Sequence, residues 1–318
     1  MSGGLAASGS LSGMRLFDED FLARLERLRL AARRLAPGAL RGEHRSKRRG
    51  RGIEFADYRP YVPGDDIRDL DWGAYLRFDK LLLRLLEEEG DLPLYLFVDG
   101  SASMTLPDPV KFDRARQMAA AFAYIALNHH DRVHLVVFDR GIRADSGGLR
   151  GSGQIVRLLR HLEAIEPSGV TDLRTALTRF FAARRRRGLV VVLSDLLSAD
   201  VDAWLAAADG PAPSPQLPLF DWLRAMGQDL LLVHLETSGR DDLDRFGELL
   251  LVDAETGEEL RVDLTPGLLQ EHRAELDRRA DELEAACRRR GWSYVRADAG
   301  RPFDDLVMDV FRRGRLLG

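Results

Sequence analysis

From Leu92 onwards, short apolar runs alternate with longer amphipathic stretches, and this alternation limits the chain to one class of fold. Residues 92–98 (LPLYLFV), 133–138 (VHLVVF), 189–193 (LVVVL), 230–235 (LLLVHL) and 292–297 (WSYVRA) have the length and residue types of buried strands. Between them lie 109–128, 152–164, 172–186, 218–227 and 267–290, which carry helical spacing. Strands apolar on both faces and separated by helices predict a mostly parallel, Rossmann-like α/β sheet with helices on both faces. Residues 248–264 break the rhythm. Two strand-like runs flank Glu255-Thr256-Gly257, which predicts a β-hairpin inserted before the last long helix. The Pro-rich stretch 209–218 reads as a loop.

The N-terminal third has a different texture. Residues 1–16 are rich in Gly and Ser and read as a tail. Residues 17–36 set Phe21, Leu22, Leu25, Leu28 and Leu35 at helical spacing, with Asp18 or Asp20 to cap the start and Pro37-Gly38 to stop the helix. A basic, glycine-punctuated stretch, 41–52, precedes an acidic one, 54–72. Phe55, Tyr58, Tyr61, Trp72 and Tyr75 are too apolar to leave in water, so 52–91 is expected to fold as a cap segment. Propensity makes 80–89 a helix, but a helix there would have to turn sharply into the strand at 92, so a short lead-in strand fits better. The division expected is 1–16 tail, 17–91 N-terminal helix, basic stretch and cap, and 92–318 α/β domain.

Composition narrows the functional classes. The 318 residues carry 47 basic and 51 acidic side chains, a net charge of −4, which points to neither nucleic acid nor a membrane surface. Six Arg and Lys fall within 41–51, but no aromatic is interleaved and the neighbouring segment is acidic, so a solvated or self-pairing stretch is favoured and nucleic-acid binding ranks last. No run approaches the roughly 20 apolar residues of a spanning helix, and the N-terminus lacks the features of a secretory signal, so no membrane span and a cytoplasmic location are expected. Cys287 is the only cysteine, which excludes an intrachain disulfide framework and a Cys-rich zinc site. Three of the 47 basic residues are lysines, Lys47, Lys80 and Lys111, and the rest are arginines. His234, inside an apolar strand, reads as a core histidine. Arg184–Arg187, ending the helix at 172–186 just before Gly188, complement its dipole.

Ligands of open α/β sheets sit outside the carboxyl ends of the strands. The first strand is followed by Asp99-Gly100-Ser101-Ala102-Ser103, a later one by Ser194-Asp195, and the helix at 172 is preceded by Gly169-Val170-Thr171. Ser and Asp at such places are also ordinary helix caps and turn formers. Taken together, Asp99, Ser101, Ser103, Thr171 and Asp195 form an all-oxygen set that suits a hard divalent cation, Mg²⁺ or Mn²⁺.

These five positions, in this order on these element ends, resemble the metal-ion-dependent adhesion site of von Willebrand factor A-like domains. The resemblance implies that Ser101, Ser103 and Thr171 contact the ion through hydroxyls, that Asp99 and Asp195 do so directly or through water, and that one position stays open for a partner's acidic group. A second resemblance rests on Gly52, Glu54-Phe55, Asp57, Arg59, Tyr61, Pro63-Gly64-Asp65-Asp66, Arg68, Asp71-Trp72 and Glu87-Glu88-Glu89. These are similar to a bacterial family known as domain of unknown function 58, whose members are often encoded beside MoxR-type AAA+ ATPases. Many relatives carry N-terminal membrane helices; none is expected from this sequence, which resembles the subgroup without them.

The sequence has no Gly-x-x-x-x-Gly-Lys loop, Gly-x-Ser-x-Gly elbow or His-Glu-x-x-His motif. A phosphoryl hydrolase of this kind would use an aspartate two positions after Asp99, where Ser101 stands. The expectation is therefore a metal-dependent protein-interaction module and not an enzyme. By resemblance, it would be an adaptor or co-chaperone of a MoxR-type AAA+ ATPase or its client. A Mg²⁺-dependent hydrolase is the alternative.

Overall fold

The computed structural model describes residues 14–35, 54–60, 71–87, 93–106, 110–184, 186–207, 218–237 and 246–314. They fall into two compact units, one spanning His44–Asp91 and the other comprising the rest of the chain. The elements run α1 (Glu19–Leu35), then β1 (Glu54–Pro60), α2 (Trp72–Phe78) and β2 (Leu82–Glu87) in the smaller unit. The larger unit continues with β3 (Leu94–Asp99), α3 (Val110–Asn128), β4 (Arg132–Phe138), β5 (Ile142–Asp145), β6 (Leu149–Arg150), α4 (Ile155–Glu163) and α5 (Leu173–Ala182). It ends with β7 (Leu189–Ser194), α6 (Ala199–Ala207), α7 (Leu219–Ala225), β8 (Asp229–Glu236), β9 (Gly247–Val252), β10 (Glu259–Leu264), α8 (Pro266–Arg289), β11 (Ser293–Asp298) and α9 (Phe303–Arg313).

The central sheet has the order β11-β8-β7-β3-β4-β5, with β6 also beside β4. Its first five strands are parallel; β5 and β6 run antiparallel to β4. This is the mostly parallel Rossmann-like sheet expected. Alternation along each strand buries both faces. On β3, Leu94, Leu96 and Val98 join α1, α3, α4 and α9 on one side, while Tyr95 and Phe97 join α5, α6, α7 and α8 on the other. The chain goes from β3 to β4 in one direction and resumes at β7 on the other side of β3. The carboxyl ends of β3 and β7 therefore flank the point where the strand order reverses, where such sheets bind ligands.

Several features differ from expectation: α2 (Trp72–Phe78) and α6 (Ala199–Ala207) have no counterpart among the expected helices. The short edge strands β5 and β6, of four and two residues, are too brief to show a period. α9 has Phe303, Leu306, Val307 and Val310 buried at i, i+3, i+4 and i+7, a signal the sequence did carry. α5 stops at Ala182, four residues early. The Arg184 guanidinium then donates to the Phe180 carbonyl at 3.2 Å, lies 4.2 Å from the Phe180 ring centroid and pairs with Asp145 at 2.9 Å. It thus serves the helix end as expected, from outside the helix.

α1 belongs to the larger unit, not with 52–91 as the sequence division has it. Its Phe21, Leu25 and Leu28, with Phe17 just ahead of it, are buried in the core, and the Phe21 and Phe303 ring centroids are 5.1 Å apart. Glu26 accepts the Tyr124 hydroxyl proton at 2.6 Å, and Asp18 caps the helix by accepting from the Phe21 amide at 2.7 Å. In the smaller unit β1 and β2 pair antiparallel, Glu54 opposite Glu87 and Pro60 opposite Leu82, so 82–87 is the lead-in strand. Buried Asp71 caps α2 by accepting from the Ala74 amide at 2.9 Å. The tail 1–13, the basic stretch 41–51, most of the acidic segment and the Pro-rich loop lie outside the described residues. β9 and β10 form the expected hairpin as a two-stranded sheet of their own.

Candidate functional site

All five expected residues stand at the carboxyl edge of the sheet, and the loops carrying them are tied together. The Ala102 amide donates to the Gly169 carbonyl at 2.9 Å, and the Ser168 amide to the Gly100 carbonyl at 2.8 Å. Both bonds depend on glycine. A Cβ on Gly100 would lie 3.0 Å from Val137 Cγ1, and Gly169 sits at φ +82°, where side chains are strained. They draw the Thr171 loop onto the turn after β3.

Asp99 is the centre. Its carboxylate is fully buried. Oδ1 accepts from the Ser101 amide at 3.0 Å and Oδ2 from the Ser194 hydroxyl at 2.6 Å. Thr171 Oγ1 lies 3.5 Å from both Asp99 oxygens. Ser101 Oγ and Ser103 Oγ are 3.0 Å apart. That is also about the spacing of neighbouring oxygens on an octahedron of 2.0–2.1 Å bonds. Asp195, at the end of β7, accepts from the Lys111 ammonium of α3 at 2.8 Å and from the Leu197 amide at 3.3 Å. Asp172, beside Thr171, belongs to the helix: it caps α5 by accepting from the Thr175 amide at 2.8 Å.

Three residues of the site escape sequence reasoning. Ser194 follows the 189–193 run in the sequence but was not among the five expected ligands; only the return of β7 beside β3 brings its hydroxyl to Asp99. Lys111 carried a signal, since it is one of three lysines in a chain that otherwise uses arginine. Glu255, at the tip of the β9–β10 hairpin, accepts from the Thr171 amide through Oε2 and from the Thr171 hydroxyl through Oε1, both at 3.0 Å. Leu196 supports the geometry. It is a buried, non-glycine residue at φ +56°, a conformation costing about 1–2 kcal/mol. Its amide donates to Ser194 Oγ at 2.9 Å, which turns the chain so that Ser194 and Asp195 serve different partners.

The electrostatics favour a cation. Burial first, and the charge of Asp195 second, push Asp99 up to about 7, against the opposing hydrogen bonds from Ser194 and Ser101. Lys111 compensates Asp195, and among the described residues no cationic side chain pairs with Asp99. Nor, among the described residues, do three His, Cys, Asp or Glu side chains gather as a ready-made metal cluster. Any ion here would be held by hydroxyls together with carboxylates. Two carboxylates and three hydroxyls around a buried, undercompensated charge fit Mg²⁺ or Mn²⁺.

The family description matching residues 57–285 reads "Protein of unknown function DUF58". This chain belongs to that family. Similar curated proteins include uncharacterized proteins of Mycobacterium tuberculosis and Mycobacterium bovis, each 27% identical over 275 residues, spanning 83% of this chain and 80% of theirs. Solved structures bear a slighter likeness. The conserved hypothetical protein BatB from Bacteroides thetaiotaomicron is 14% identical, covering 70% of this chain and 98% of that one, with a TM-score of 0.36. An aerotolerance-related membrane protein from Bacteroides fragilis is 15% identical, covering 70% and 99%, with a TM-score of 0.37. A membrane spanning protein from Vibrio fischeri is 14% identical, covering 69% and 94%, with a TM-score of 0.23. The expected cytoplasmic location is corrected by these names, since similar chains include proteins described as membrane proteins. Among the described residues no helix is long and apolar enough to cross a membrane.

Proposed function

We propose that this DUF58 protein is a metal-dependent protein-interaction module, with Mg²⁺ or Mn²⁺ held by Asp99, Ser101, Ser103, Thr171 and Asp195. The observation carrying this reading is the convergence at the β3–β7 switch point of an all-oxygen set around the fully buried Asp99. Its order along the chain is that of von Willebrand factor A-like adhesion sites. When bound, the ion supplies a Lewis-acidic position that a partner's carboxylate can occupy.

The chain's own residues prepare that position. Ser194 and the Ser101 amide orient the Asp99 carboxylate. Lys111 holds Asp195 and removes one negative charge from a crowded site. The Ser101 and Ser103 hydroxyls, 3.0 Å apart, present adjacent oxygens. Ser101 stands where a phosphoryl-transfer enzyme of this type would want a second aspartate, so binding is favoured over hydrolysis. The partner class is a MoxR-type AAA+ ATPase or its client, a reading that rests on the family resemblance alone.

The deciding experiment is isothermal titration of the chelated full chain with Mn²⁺, followed by pulldown of a MoxR-type ATPase with and without chelator. Saturable Mn²⁺ binding that is lost in Ser101→Ala, together with ATPase capture that chelator abolishes, is the expected result. No Mn²⁺ binding by the wild type, or phosphate release that Ser101→Ala removes, refutes it.

A further inference from the structure

The hairpin that interrupts the α/β rhythm carries a carboxylate into the site. Both oxygens of Glu255 are engaged by one residue, the Thr171 amide and hydroxyl, each at 3.0 Å. Glu255 is the single residue of 251–260 that is not exposed, so the hairpin tip is otherwise open to water. The tip is ordered by its own bonds. Asp253 accepts from the Glu255 and Thr256 amides at 2.9 and 2.6 Å, Gly257 takes the left-handed turn at φ +74°, and the Asp253 amide closes on the Glu258 carbonyl at 2.8 Å. An exposed turn so built displays one side chain in a fixed direction.

That direction costs charge. Thr171 Oγ1 lies 3.0 Å from Glu255 and 3.5 Å from Asp99, so two carboxylates share one hydroxyl. Lys111 balances Asp195, and among the described residues no ion pair balances Asp99 or Glu255. Glu255 thus meets, through the Thr171 hydroxyl, the oxygen set read above as holding a cation.

We propose that the β9–β10 hairpin is a tethered ligand of the site. Glu255 takes, on Thr171, the place of the partner's carboxylate, and a partner binds by displacing it. The proposal rests on the metal-site reading above and adds its occupant. It also specifies the partner's chemistry: an acidic side chain displayed at the tip of a tight turn, matching what it displaces.

The test uses full-length protein, with Mn²⁺ as the probe. Three readouts are taken on wild type, Glu255→Gln, Glu255→Asp and Ser101→Ala: Mn²⁺ affinity, water-proton relaxivity of bound Mn²⁺, and amide exchange at the peptide containing Thr171. Glu255→Gln is expected to weaken Mn²⁺ by at least about tenfold, the loss that even outer partners of metal ligands produce. It should raise relaxivity as water enters the vacated position, and speed exchange at Thr171. Glu255→Asp, which keeps the charge but loses the reach, should behave alike. Unchanged relaxivity and exchange in Glu255→Gln, with Mn²⁺ binding still lost in Ser101→Ala, overturns the tethered ligand and leaves the metal site standing. No Mn²⁺ binding by the wild type overturns both.

Discussion

Replacing Lys111 with Met tests the electrostatic design of the site most directly. The ammonium lies 2.8 Å from Asp195 Oδ2, and the two side chains are only 10% and 3% exposed. At an effective dielectric of about 20, two unit charges at that separation attract by roughly 6 kcal/mol. Part of this is offset because the methionine no longer carries a charge that burial penalises. Breaking one side of a buried pair accordingly costs about 3–5 kcal/mol. What remains on Asp195 is one amide donor at 3.3 Å, and its charge then bears uncompensated on Asp99. In urea, with m near 3 kcal/mol/M for a chain of this size, the midpoint should fall by roughly 1–1.7 M when chelator is present. Lys111→Met/Asp195→Asn should recover part of the loss, because the pair is then removed and not broken. Millimolar Mg²⁺ should stabilise Lys111→Met more than it stabilises wild type, since the ion replaces the missing positive charge. A midpoint shift below about 0.3 M, or a double variant no better than the single one, would refute this account of the site.

Three other outcomes follow from the geometry. Thr171→Ala and Ser103→Ala should each weaken Mn²⁺ binding by about tenfold or more while the circular-dichroism melt of the chelated protein moves by less than about 1 kcal/mol, because both hydroxyls lie at the surface end of the sheet. His234 is held neutral in the fold, pushed down to about 4 chiefly by burial, and its Nδ1 is 2.7 Å from the Tyr294 hydroxyl. Below its ordinary pKa the unfolded chain takes up a proton that the folded chain refuses, so stability falls from about pH 6.5 towards pH 4. The loss reaches roughly 3 kcal/mol, and His234→Phe should flatten that slope in pH-dependent urea melts. Cys287 is buried and its thiol is pushed up to about 12 by burial, so iodoacetamide should label it only on unfolding; rapid labelling of native protein would contradict the packing of α8.

The sequence alone determined the class of fold, the five main strands along the chain, the inserted hairpin, and that five oxygen-bearing residues stand at strand and helix ends. Each of these is a local signal. Apolar runs of strand length, helical spacing and the residue types that close a strand all lie within a few positions of one another, and the Rossmann-like rule says where the strand ends point. What the sequence could not decide is which distant groups meet. Lys111 and Asp195 are 84 residues apart, Ser194 and Asp99 are 95 apart, and Glu255 and Thr171 are 84 apart. Each pairing exists because β7 returns beside β3, or because the β9–β10 hairpin reaches back to the edge of the sheet, and no periodicity records those returns. The same holds for α1. Its apolar stripe was legible as Phe21, Leu25 and Leu28, but a stripe does not name the surface it covers. Packing did that, by setting Phe21 against Phe303 at the far end of the chain. A charge or an apolar face read from sequence is only a demand for a partner, and the tertiary structure decides which partner meets it.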